Sequence, residues 1–200
     1  MRSRRLPRLG AVVLLATLAA CRTAPPPSFL VLPPWEVRRP QLQSRERFDL
    51  KGRVAVATGR EGFNANLRWS QEGKRSQLTL EGPLGAGAVQ VSASGSQLDI
   101  ITARGEHLDS AAAHAELATR LGFDPPLPSL RYWVLGVPDP GQPAVEELDE
   151  RQQHLEHLTQ GGWRIDYGVY ILVGDESVPA RLTLKRDAVR VRLLVEDWQL

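Results

Sequence analysis

The chain has 200 residues, a formal net charge of +2, 42% hydrophobic residues and a single cysteine. That length suits one domain with a sizeable core, and no run of self-similar units points to a repeat array. Arg2, Arg4, Arg5 and Arg8 supply the positive surplus: residues 1–20 contain no acid, so without them the balance is +2 − 4 = −2. The remaining chain lacks the dense cationic surface that phosphate-backbone binding requires, which excludes nucleic acid as a partner. A lone cysteine also excludes an internal disulfide.

The N-terminus reads MRSRRLPRLGAVVLLATLAAC, with arginines before an apolar run over 9–20 and small residues before Cys21. These are the parts of an export signal, expected over 1–20. The apolar run falls short of the roughly 18 residues that span a bilayer. Leu18-Ala19-Ala20-Cys21 resembles the lipobox of bacterial lipoproteins. That resemblance implies acylation of the Cys21 thiol, and Arg22, where aspartate would favour inner-membrane retention, implies lipid anchoring at the periplasmic face of the outer membrane. Several acyl chains at about 0.8 kcal/mol per buried methylene make a stable anchor without a spanning helix.

Residues 21–39 follow as a proline-rich tether, in which Pro25, Pro26, Pro27, Pro33 and Pro34 favour an extended chain. The folded body is expected over 40–200, opening with a short helix over 41–47 and Pro40 at its first position. From Phe48 onward, large apolar residues alternate with polar ones. Phe48, Leu50, Val54 and Val56 share one parity; Phe63, Ala65, Leu67 and Trp69 follow; then come Leu78 with Leu80, Val89 with Val91, and Leu98 with Ile100. Glycine-containing turns at 58–60, 72–74 and 94–96 separate the segments, so the spacing predicts five hairpin-connected antiparallel strands. The turn EGPLGAG differs, because Leu84 between Pro83 and Gly85 neither sets the backbone nor bonds to it.

At LDSAAAHAELATRLG the period changes: Asp109 suits an N-cap, Ala113, Leu117 and Leu121 recur every four residues, and Gly122 suits a helix end. A second short helix is expected over 129–136, bracketed by prolines. Alternation resumes with Trp163, Ile165, Tyr167 and Val169, then with Leu182 and Leu184 against Val189, Val191, Leu193 and Val195. The pattern therefore predicts nine to eleven antiparallel strands with one apolar face each. Such strands hide that face by packing two sheets or by curling one, and the helical insertion favours curling. Periodicity leaves open whether side chains fill the enclosed space.

The sequence has no glycine-rich phosphate loop, HExxH, CxxC or GxSxG. His154-Leu155-Glu156-His157 offers metal-ligand residue types, but on a strand His154 and His157 face opposite ways. His107, Asp109 and Ser110 are the residue types of a hydrolase triad without its geometry, and they read as a loop and an N-cap. The expectation is that the chain is not an enzyme and uses no cofactor or metal. Arg181, Lys185, Arg186, Arg190 and Arg192 read as a wet strand face, with an anionic membrane surface as the alternative.

Several stretches together resemble the LolB family of Gram-negative outer-membrane lipoprotein receptors: FDLKGRVAV, NLRWSQ, GPLG, SLRYWVLGVPDP, GWRIDYGVY and VPARLTLKRDAVRVRLLVEDW. Their order and spacing cover the chain from Phe48 to its end. The resemblance implies a mainly β fold, an incomplete and strongly curved antiparallel β-barrel with an apolar cavity covered by two or three helices. It also implies a monomer that accepts acylated lipoproteins from a LolA-like periplasmic carrier and inserts them in the outer membrane. In the family an exposed leucine on a protruding loop serves insertion, and Pro83, Leu84 and Gly85 match that loop. The lining expected for the cavity is Val54, Val56, Leu67 and Trp69, then Leu78, Leu80, Val89 and Val91, then Trp133, Leu135, Ile165 and Tyr167. The alternative is a lipocalin-like binder of a small apolar ligand, which would share the curled sheet.

Overall fold

A computed structural model describes residues 32–59, 61–82, 87–95 and 97–200. After helix α1 (Trp35–Gln43) come the strands β1 (Arg47–Thr58), β2 (Glu61–Glu72), β3 (Arg75–Glu81), β4 (Ala88–Ser94), β5 (Gln97–Ile101) and β6 (His107–Asp109). Helices α2 (Ser110–Leu121) and α3 (Leu127–Trp133) interrupt them. The strands β7 (Ala144–Leu148), β8 (Leu155–Gln160), β9 (Trp163–Val173), β10 (Glu176–Arg186) and β11 (Val189–Gln199) complete the chain. All eleven belong to one antiparallel sheet in the order β6-β5-β4-β3-β2-β1-β11-β10-β9-β8-β7.

The alternation read from sequence is the alternation of burial. In β1, Phe48 and Leu50 are buried while Arg47, Asp49 and Lys51 are exposed; in β2, Ala65, Leu67 and Trp69 are buried between exposed neighbours. First and last strands pair at the centre, with Val54 opposite Leu193 and Val56 opposite Val191. The two edges, β6 and β7, are joined in the chain by α2 and α3, so the helices bridge the gap in the sheet, and α2 rests against β5 and β6.

The sheet curls around one interior. Buried residues from β1 to β5 and from β8 to β11 share a single cluster with those of α2 and α3. Laid flat at about 4.8 Å per strand, β4 and β9 would stand roughly 30 Å apart across β3, β2, β1, β11 and β10. Only a rolled sheet brings them to one core. Bulges sharpen the roll by adding local twist. One lies between Lys51 and Gly52 of β1, and a side chain at Gly52 would place its Cβ 2.1 Å from the Leu194 carbonyl oxygen. Others flank Arg181 of β10, next to Pro179, which has no N–H to give the ladder.

The helices depart from the sequence expectation at their ends. Helix α1 covers Trp35–Gln43 rather than 41–47, and Pro40 sits inside it. Tertiary contacts outweigh the interrupted helix bonding: Trp35 and Arg38 are buried, and the Trp35 indole donates to the Glu146 carboxylate at 3.1 Å. The packed chain thus reaches back beyond Pro40. Helix α3 begins two residues earlier than expected, because prolines at its start occupy positions with no helical N–H bond to lose. Helix α2 ends as read, with Gly122 in the left-handed region (φ 74°) donating its N–H to the Ala118 carbonyl at 2.8 Å. Asp109 occupies the N-cap position, but its side chain makes no capping bond. No described helix is long and apolar enough to cross a membrane.

Candidate functional site

The inner face of the rolled sheet leaves a cavity of about 120 Å³ whose wall exposes no polar atom. Val54 and Val56 of β1, Leu67 and Trp69 of β2, Leu78 and Leu80 of β3 and Val91 of β4 form one side. The opposite side comes from Trp163, Leu182, Leu184, Val191 and Leu193 of β9 to β11. The cover is helical: Leu117 and Leu121 of α2, the Phe123–Leu127 link and Leu130 and Val134 at α3 close over the strands. The Phe123 ring meets Trp163 edge-on at 5.4 Å.

Of the positions expected to line a cavity, Val89, Trp133, Leu135, Ile165 and Tyr167 lie off this wall. Val89 is half-buried against the core, and the other four pack within it. Polar ties hold two of them in place. The Trp133 indole donates to Gln160 Oε1 at 2.8 Å, and the Tyr167 hydroxyl donates to the Trp133 carbonyl at 3.0 Å. Burial pushes the Tyr167 hydroxyl pKa well above its ordinary value, so it stays a donor. The wall residues on β9 to β11 share the parity of those the sequence singled out and were legible in the same alternation. Those on the helices were not, since docking rather than period decides which helical face meets the sheet.

Beneath the wall, the Trp69 indole donates to Gln71 Oε1 at 3.1 Å, and the Ser76 hydroxyl donates to the same oxygen at 2.6 Å. Trp163 has no acceptor for its buried indole N–H among the described residues, while the Arg186 guanidinium lies 4.5 Å above its ring. Cys21 and the tip residues Pro83, Leu84 and Gly85 lie outside the described residues. The base of that tip is described: β3 and β4 stop at Glu81 and Ala88, and the Gly82 N–H donates to the Gly87 carbonyl at 3.3 Å.

The histidine pair expected on one strand is divided. His154 precedes β8 and contacts Asp149 Oδ2 at 3.1 Å and Ser177 Oγ at 2.8 Å, whereas His157 contacts Asp166 at 2.9 Å. Asp149, His154 and Ser177 thus form a carboxylate–imidazole–hydroxyl chain of the same residue types as His107, Asp109 and Ser110, which read as a loop and an N-cap. Ser177 is only 4% exposed, however, and its carbonyl accepts from buried Arg38 at 2.9 Å. Arg38 also donates to the Gln153 carbonyl at 2.7 Å, so the cluster ties α1 to the β7–β8 loop and to β10. Burial lowers the His154 pKa, and nearby Arg38 adds to that against the Asp149 hydrogen bond. Burial raises Asp149, but hydrogen bonds from the Gln153 N–H and from His154 outweigh it and hold the carboxyl below its ordinary value. His107 instead lies 3.5 Å from Asp99 at the exposed sheet edge.

Comparison with known proteins places this architecture. The model of the family described as outer membrane lipoprotein LolB matches residues 46–198. The outer-membrane lipoprotein LolB of Nitrosococcus oceani is 33% identical over 96% of this chain and 98% of its own length. The protein of that name from Alkalilimnicola ehrlichii is 30% identical over 100% and 99%. A LolA superfamily protein from Nitrosomonas europaea superposes with a TM-score of 0.55 over 84% of this chain and 94% of its own, at 8% identity, and so shares the fold. A rolled, open, eleven-stranded sheet with a helical cover, matched in sequence over nearly its whole length, establishes that this chain belongs to the LolB family.

Proposed function

We propose that the chain is an outer-membrane lipoprotein receptor, anchored through acylated Cys21, that takes lipoproteins from a LolA-like periplasmic carrier and delivers them to the membrane. The observation that carries this reading is the wholly apolar cavity under a helical cover. An acyl chain costs about 0.8 kcal/mol per methylene to leave in water, so its passage needs continuous apolar shelter. Transfer then follows if each successive site binds the chains better than the one before.

At about 120 Å³ the cavity is smaller than the ~300–1,000 Å³ of ligand-holding pockets. Acceptance therefore requires the cover to move. The Phe123–Leu127 link is the part suited to it, being short, rich in proline and held to the sheet by apolar contacts alone at Phe123. Leu84, on the link between β3 and β4, is assigned to the bilayer interface, where it would ease release.

The test uses the chain from Arg22, which keeps every described core residue, as wild type and as Leu84→Glu. Each is mixed with lipoprotein-loaded carrier and then with outer-membrane vesicles. The expected result is that both strip the carrier and only wild type delivers to vesicles. Equal delivery would reduce Leu84 to a turn residue, and failure of both to strip the carrier would refute the receptor. The small volume of the cavity favours one second reading, a binder of a small apolar molecule. In that case a cavity-sensitive dye would bind while acylated protein would not displace it.

A further inference from the structure

The outer face of the sheet is not uniformly solvated. Where β2, β1, β11 and β10 lie side by side, it holds a depression of about 740 Å³ bordered by Arg53, Arg181 and Arg192, with Asn64, Asn66 and Thr183 between them. The depression exists because small residues stand opposite large cations: Arg192 faces Ala55 on one side and Thr183 on the other. Next along the strands, Arg190 faces Ala57 on β1 and Lys185 on β10; Arg190 and Lys185 are a like-charge pair directly across the ladder, in which Asp166 offsets Lys185 at 2.6 Å and Arg190 has no acidic partner among the described residues.

Ion pairing differs between the two ends of this face. Toward the β1 start, two of the outer cations have carboxylates, Lys51 with Asp197 at 3.5 Å and Arg47 with Glu72 at 3.7 Å. Toward the other end, Arg181, Arg190 and Arg192 have no acidic partner among the described residues, while Lys185 pairs with Asp166 at 2.6 Å and Arg164 with Asp166 at 3.1 Å and Glu147 at 3.5 Å. Arg53 is paired with Glu196 at 2.7 Å. The cation-rich end is the one where β3 stops at Glu81 and β4 starts at Ala88, since Glu81 pairs with Asn66, Asn66 with Arg53, and Arg53 with Leu194, opposite Arg181.

We propose that this arginine face docks on the anionic phospholipid headgroups of the bilayer in which the chain is anchored. The proposal rests on the anchored-receptor reading. Arginine guanidinium forks with amide and hydroxyl donors are the donor set that suits phosphate oxygens. A proline-rich chain of the length of 22–34 would span roughly 40 Å if it were extended at about 3.1 Å per residue, a reach compatible with contact between this face and the headgroups. The chain beyond residue 20 has a net charge of −2, so an anionic surface repels the body as a whole and attracts it locally at this patch. Docking would orient the body with the β3–β4 end toward the lipid.

The experiment uses the unacylated chain from Arg22, with neither carrier nor lipoprotein present, and co-sedimentation with phosphatidylcholine vesicles with or without about one-third phosphatidylglycerol. We expect binding only to the anionic vesicles and its loss at about 0.5 M salt, where the screening length falls below 5 Å. Each arginine removed should weaken partition about fivefold, so Arg181→Gln/Arg190→Gln/Arg192→Gln should lose roughly a hundredfold. The equal-charge control Arg47→Gln/Lys74→Gln/Arg75→Gln should bind as wild type. Absence of binding to anionic vesicles, or equal loss in the control, overturns the proposal. So does a triple variant that binds the anionic vesicles as wild type does. Because no lipoprotein is transferred, a failure here leaves the receptor reading to its own test.

Discussion

Single residues set the shape of this sheet where no side chain fits. Gly52 stands at the β1 bulge with the Leu194 carbonyl where a Cβ would go. Gly52→Ala should therefore cost about 3 kcal/mol through displaced backbone, read as a lower urea midpoint at unchanged slope. The buried indoles make a second residue-scale case. Trp133 donates to Gln160, whereas Trp163 has no acceptor among the described residues. Replacing each with phenylalanine should cost about 1 kcal/mol more at Trp133, because only there is a made hydrogen bond lost. Urea titration of the two variants checks the difference.

Among elements, the cover and α1 carry separate predictions. Phe123 packs half-buried on Trp163 and closes the cavity. Phe123→Ala should destabilise the fold by roughly 1–3 kcal/mol and brighten a cavity-binding dye, as the apolar space gains volume. Helix α1 is held through Arg38 to the loop that Asp149 and His154 organise. The His154 pKa is lowered from its ordinary 6.5, so the unfolded chain binds more protons below that pH. The tie is thus intact above about 6.5 and weakens as pH falls through the folded-state value. Asp149, also lowered, adds a further loss below its ordinary 3.8. Unfolding free energies should fall from neutral to mildly acidic pH in wild type, and His154→Gln should flatten the part of that slope nearest neutrality.

For the whole molecule, the order of strands predicts where stability resides. The first and last strands pair at the centre, and Phe48 of β1 packs its ring 5.6 Å from both Trp69 and Trp198. The edges β6 and β7 each have one strand neighbour. Amide exchange should be slowest in β1 and β11 and fastest in β6 and β7, because edge opening breaks few buried contacts. Uniform protection across the sheet would contradict this gradient.

Much of the architecture was legible in the residues themselves. One-sided alternation gave the strands, Gly122 the end of α2, and the order of short motifs the family. Alternation works because a strand with one wet face has period two in any context. What only the tertiary structure decided is where distant segments meet. The start of α1 at Trp35 depends on Glu146, far along the chain, and the Asp149–His154–Ser177 cluster spans two hairpins. The small volume of the cavity is set by helices whose docked face no period specifies. The sequence by itself determined a one-faced antiparallel sheet that had to roll or pair, because each strand's burial is a local property. The sheet's closure, its filling and the partly unpaired arginine face were decided in three dimensions, because packing volume and ion pairing depend on neighbours that the chain brings together only on folding.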